Sequence, residues 1–216
     1  MEALKKPVGY YDDLEISVEE AISNAALPDC LFYFKDLKQR KFFLPTEIEA
    51  ETVGDILRHI MQINREDMGT PPEERKPILI YISCRGGSLD DGLSVIDAIE
   101  NSITPVYTIN IGYAYSMGFL IALAGHKRFC TKNAMFLMHD GTDFVVDASA
   151  KAMDRLEFNK RMEDRLKQYV VSHSKITKEE YEQKYRVEWY MFAEEAKGNG
   201  FVDSIVGEDC DLTSII

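Results

Sequence analysis

The sequence predicts an α/β fold built on a mostly parallel sheet. Three observations carry that expectation. Residues 78–82 form an unbroken apolar run, which suits a strand with both faces covered. Across 77–139, short apolar runs alternate with helical patterns as strand, helix, strand, helix, strand, the signature of βαβ units. Right-handed crossovers then lay the helices over the sheet. The length of 216 residues fits one domain with a good-sized core.

The elements follow in order. Residues 1–28 are polar and weakly periodic and read as an N-terminal arm. Residues 31–34 and 41–44 read as two short strands joined by the charged segment 35–40. Residues 47–64 read as a helix whose stripe is Val53, Ile56, Ile60 and Ile63. The charged stretch 65–76, with Gly69 and Pro71-Pro72, reads as a surface loop. After the strand at 78–82, Gly86-Gly87 breaks the run. Ser88, three residues before Asp91, is placed as an N-cap. Leu89, Leu93, Ile96 and Ile99 form the stripe of the next helix. Residues 106–111 read as a second strand, 112–116 as a turn and 117–124 as a small apolar helix ended by Gly125. Residues 128–130 and 134–138 are further strands, the second ending at His139. A long helix at 148–172 carries Leu156, Met162, Leu166, Tyr169 and Val170 on its apolar side. Shorter helices follow at 177–185, capped by Thr177, and at 194–199. The domain is expected over 29–206, with 207–216 as a C-terminal tail.

Bulk properties exclude several functions. A net charge of -12 repels a phosphate backbone, so nucleic acid is not expected as a partner. No run of eighteen apolar residues predicts a membrane span. The segment after Lys5-Lys6 lacks the apolar core of a secretory signal, and the expected location is cytoplasmic. Cys30, Cys84, Cys130 and Cys210 are far apart and form no zinc-ligand pattern, so they read as reduced thiols.

Two residues at strand ends invite a chemical reading, because function in such sheets gathers where loops converge. Ser116 precedes a helix, so nearby backbone N–H groups are free to face an anion. It reads either as a simple cap or as a nucleophile, which needs a base and oxyanion donors. The stretch has Ala114 where an α/β-hydrolase elbow has glycine, which disfavours that fold. His139 reads either as a strand-edge histidine bonded to a carbonyl or as that base. Gly86-Gly87 reads either as a turn or as an anion-binding nest. His59, His126 and His173 lie beside charged residues and read as solvated.

Four ordered segments go further. SCRGGSLDDG (83–92) resembles the glycine-pair loop of the Clp protease proteolytic subunit family. IGYAYSMGFLIALAGHKRFC (111–130) resembles its nucleophile segment, NAMFLMHDG (133–141) its histidine segment and FAEEAKGNGFVDSIV (192–206) its C-terminal segment. The resemblance covers about 40–206 and implies a crotonase-like fold, a repeated ββα superhelix, with the helix from 148 as a protruding handle. It implies Ser116 as nucleophile, His139 as general base, and the backbone N–H groups of Gly87 and Met117 as the oxyanion hole. It also implies heptameric rings stacked as a tetradecamer, peptide or unfolded-protein substrates, and a ring ATPase as partner. No cofactor is expected in this subunit, since ATP serves the partner.

Three departures fit a divergent or phage-type member. The family's third catalytic residue is an aspartate, and the matching position here is Glu188, with Asp140, Asp143 and Asp147 as alternative acids. The usual Ser-Pro before the glycine pair is Cys84-Arg85. The arm does not resemble the family's axial-loop segment. Two other readings stand beside an active serine endopeptidase. One is a weakly active or non-catalytic ring subunit of a mixed or phage- or secretion-related assembly. The other is crotonase-type acyl-CoA chemistry, which works with carboxylates and gives Ser116 and His139 no role.

Overall fold

The computed structural model describes residues 27–141 and 149–215. Its sheet has seven strands: β1 (Lys41–Ile48), β2 (Ile78–Gly87), β3 (Val106–Tyr115), β4 (Lys127–Thr131), β5 (Met135–Met138), β6 (Trp189–Phe192) and β7 (Ser204–Val206). The helices are α1 (Leu27–Lys38), α2 (Ala50–Glu66), α3 (Leu89–Glu100), α4 (Met117–Leu123), α5 (Ser149–Ser172), α6 (Lys178–Tyr185) and α7 (Ala193–Gly198). The strand order is β1-β2-β3-β4-β7, and each of these pairs is parallel. Strand β3 serves two neighbours. Tyr107 to Asn110 pair with β4, while Tyr113, Ala114 and Tyr115 pair with Met135, Phe136 and Leu137 of β5. β6 then adds to β5 as the antiparallel member. The expected α/β architecture with a parallel-dominated sheet is what the chain adopts.

The main core lies between one face of this sheet and the helices. Ile78, Ile80, Ile82 and Cys84 of β2 point into it, with Val53, Ile56, Ile60 and Ile63 of α2 packed in the same cluster. The other face is covered over a shorter length. There Leu79 and Ile109 pack on Ile215 from the C-terminal segment, whereas Tyr81 is only half-buried and Arg85 exposed. The double burial expected of β2 therefore holds at its start and gives way to alternation toward its end.

Several boundaries differ from the sequence reading. Residues 31–34 are not a strand but part of α1. Pro28 sits in its first turn and Lys35 and Lys38 lie at its carbonyl end, both favourable placements. α2 begins at Ala50 because β1 continues to Ile48, and Glu49 and Thr52 close a capping box behind it. β3 runs through Gly112 to Tyr115, so the expected turn contracts to Ser116. On α3, Val95, Ile96 and Ile99 are buried while Leu89 and Leu93 are half-buried. On α5 only Val170 is buried and Leu156 is exposed, so most of its length stands clear of the core.

Two histidines are less solvated than expected. His59 stacks on Phe42 at 5.1 Å between ring centroids, and burial lowers its pKa. His173 meets Glu100 at 2.9 Å. Cys84 and Cys130 are buried free thiols and Cys210 is a half-buried one. Burial pushes the Cys130 thiol up to about 12. The expected arm lies outside the described residues except for Leu27 and Pro28, which open α1. Among the described residues no helix is long and apolar enough to cross a membrane, and no cluster of His, Cys, Asp and Glu is placed to hold a metal ion.

Candidate active site

Three neighbouring strand ends converge on one edge of the sheet. β3 ends at Tyr115, which pairs with Leu137 of β5, and the Ser116 N–H donates to the Leu137 carbonyl at 2.9 Å. Two residues beyond Leu137, just past the end of β5, stands His139. The β5–β6 register pairs Met138 with Trp189, and carrying it one step on sets His139 opposite Glu188. Directly opposed antiparallel residues share a sheet face. Ser116, His139 and Glu188 thus each lie just past one of three neighbouring strand ends.

Ser116 does not behave as a cap. It holds φ at 53° with its side chain making no capping bond to α4. A positive φ is uncommon for a residue with a Cβ and costs about 1–3 kcal/mol. That conformation turns the chain from strand to helix in a single residue. Among the described residues its hydroxyl has no hydrogen-bond partner at the start of α4.

The glycine pair closes over this turn. Gly86 and Gly87 adopt φ of 101° and 145°, a region that disfavours side chains. A Cβ on Gly86 would lie 2.8 Å from the Ser116 Cβ and 3.0 Å from the Met117 nitrogen, so no side chain fits between the loop and the Ser116 turn. A Cβ on Gly87 would lie 2.3 Å from the Ile48 carbonyl oxygen. Ser88 caps α3 by accepting from the Asp91 N–H at 3.3 Å.

Ser116, Met117, Gly87 and His139 line one cavity of about 520 Å³. Its floor and wall are apolar: Phe119, Leu120 and Met138 from the core side, with Phe158, Met162 and Leu166 from α5. Asp90, Asp140, Arg155 and Glu163 supply charge to the lining. Such a mixture suits a chain segment whose side chain enters an apolar recess while its backbone stays polar. The apolar spacing of α5 is legible in the sequence, but the expectation drawn for that helix is a protruding handle, not a cavity wall.

Glu188 stands apart from that cavity. It is exposed, and its carboxylate interacts with the hydroxyl of Tyr190 two residues on. Desolvation and that interaction raise the Tyr190 pKa. Tyr190 packs edge-on against Tyr115, with centroids 5.9 Å apart. Of the alternative acids, Asp140 lines the cavity, whereas Asp143 and Asp147 lie outside the described residues. Tyr190 went unnoticed in the sequence, although alternation along 188–192 would have placed it beside Glu188.

A family model described as Clp protease matches residues 30–209. The chain belongs to the Clp protease family. Its parallel-dominated α/β sheet agrees with the fold of that family. Among curated relatives, it is similar to the ATP-dependent Clp protease proteolytic subunit 2 of Treponema pallidum (strain Nichols), 24% identical over 91% of this chain and 96% of that one. It is also similar to the ATP-dependent Clp protease proteolytic subunit of Deinococcus radiodurans, 26% identical over 82% of this chain and 84% of that one.

Proposed function

We propose that this Clp-family chain is a serine endopeptidase that cleaves peptide bonds of unfolded proteins or peptides. One observation carries the reading: a positive-φ Ser116 whose side chain makes no capping bond shares a cavity with His139 and Gly87, at adjacent strand ends. In this reading the Ser116 hydroxyl attacks the scissile carbonyl while a His139 ring nitrogen takes its proton. The oxyanion is met by the N–H groups of Gly87 and Met117. The His139 proton passes to the leaving amine, and water then hydrolyses the acyl-enzyme by the same base. Glu188 orients and stabilises the imidazolium.

The assembly follows the family resemblance. Heptameric rings stack as a tetradecamer in the cytoplasm, enclose the active sites in a chamber and receive chains from a ring ATPase. The largely exposed α5 supports a role as the interlocking handle. No cofactor takes part in this subunit, and ATP is consumed by the partner.

A second reading is favoured by the exposed Glu188 and its bond to Tyr190. It is a weakly active or non-catalytic ring subunit of a mixed assembly. Fluorophosphonate labelling separates the two. The endopeptidase reading expects covalent labelling at Ser116, abolished by Ser116→Ala. It also expects turnover of an unfolded protein to fall by about 10⁴-fold or more in that variant. Melting should be unchanged, because the hydroxyl makes no capping bond to α4. Intact rings that are never labelled at Ser116 would support the second reading.

A further inference from the structure

The glycine-pair loop must hold its N–H groups still, yet the two residues before it are Cys84 and Arg85, neither of them a proline. Proline restrains a loop through its ring, and a loop without it needs other anchors. The structure contains them. The Arg85 guanidinium lies over the Tyr113 ring, 5.2 Å from its centroid. Tyr113 in turn packs on Tyr115 at 5.3 Å, and Tyr115 immediately precedes Ser116. On the opposite face of β2, the Gly86 N–H donates to the buried Cys84 sulfur at 3.4 Å. Cys84 also packs where a Gly118 Cβ would come within 3.2 Å of its own, which fixes it against α4. The loop is thus held from both faces of the strand that delivers it.

We infer that Arg85 and Tyr113, with Cys84 behind them, are positioning residues that clamp the Gly86-Gly87 loop against Ser116 in place of a proline ring. The contact is a cation over an aromatic face at an open site, so its weight is modest but directional. It ties the loop to the strand that ends at the nucleophile. A shift of Gly87 is then resisted by the element that carries Ser116. This assignment rests on the serine peptidase reading for its catalytic meaning, but the clamp itself is a property of the loop.

The test therefore reads the loop and the chemistry separately. Hydrogen exchange would be followed across 82–90 in the assembled protein, alongside the rate of fluorophosphonate labelling at Ser116. Arg85→Ala and Tyr113→Ala are each expected to speed exchange of the loop amides, and slow labelling, by about three- to fivefold, the size of an exposed cation–aromatic contact. The double variant should be no worse than either single one, because both remove the same contact. Arg85→Pro should restore slow exchange, and Cys84→Ser, which keeps an acceptor, should disturb the loop less than Cys84→Ala. Unchanged exchange in Arg85→Ala and Tyr113→Ala variants that melt like the parent would overturn the clamp. So would an Arg85→Pro loop that exchanges as fast as Arg85→Ala. If exchange responds as expected but the parent is never labelled, the clamp stands and the peptidase reading fails. If the parent labels well and exchange does not move, the reverse holds.

Discussion

The Ser116 side of the site is built from backbone packed to contact, whereas the Glu188 side rests on a four-residue strand and a side-chain interaction with Tyr190. Around Ser116, the geometry is set by atoms that cannot rotate away: the Leu137 carbonyl, the Ile48 backbone and two glycines at positive φ. Around Glu188, the strand β6 is exposed at Tyr190 and Phe192, and the carboxylate interacts with the Tyr190 phenol. Close packing transmits small displacements, while an exposed hydrogen bond competes with water. Substitutions at the two sides should therefore differ in kind. The first side should fail abruptly, and the second should shift by degrees.

The sharpest break is expected at Gly87. In Gly87→Ala the added methyl would sit 2.3 Å from the Ile48 oxygen at a φ of 145°. The clash is with backbone, so the loop must move and take its N–H group with it. Loss of one oxyanion donor costs about 10²–10³-fold in kcat. Strain and displacement should also lower stability by about 2–3 kcal/mol. Peptidase assays and urea unfolding of the same preparation check both. An alanine variant with parental kcat would mean that the Gly87 N–H faces no developing charge.

The contrast also explains what could be read from the sequence. The β2 strand and the α2 stripe were legible because their apolar periods belong to the local chain. The run at 31–34 was too short to separate strand from helix, and only the longer α1 context decides it. Gly112 suggested a turn, but it lies within β3 at the register irregularity between Asn110 and Ala114, so its preference shows as a bulge in the ladder. Ser116 and His139 could be placed at strand ends, which was enough to nominate them. The situation of Glu188 could not be read, because β6 exists through its antiparallel pairing with β5 and the hydrogen bond through Tyr190.

A smaller change, of opposite sign, is expected at Glu188. Opposed positions in an antiparallel pair bring Cβ atoms to about 4.5–5.5 Å, a span that a short carboxylate can cover toward an imidazole. The glutamate has one methylene more and interacts with the Tyr190 hydroxyl. Glu188→Asp should therefore raise kcat by about tenfold, with KM little changed, if the acid orients His139 in the transition state. No change, or a loss, would show that a misplaced acid is not what limits the enzyme.

The smallest effect belongs to Tyr190. Tyr190→Phe keeps the edge-on contact with Tyr115 and removes only the hydroxyl that holds Glu188. Freed of that bond, the carboxylate can sample the His139 side, and kcat should rise by about two- to threefold, the scale of a single exposed hydrogen bond. In the Glu188→Asp background the same substitution should do nothing, because the shorter side chain no longer reaches the phenol. That non-additivity is the informative quantity, since two residues acting through one contact must couple. Equal effects in both backgrounds would mean that Tyr190 acts through Tyr115 and the nucleophile turn instead, and the acid side would then be no looser than the side it faces.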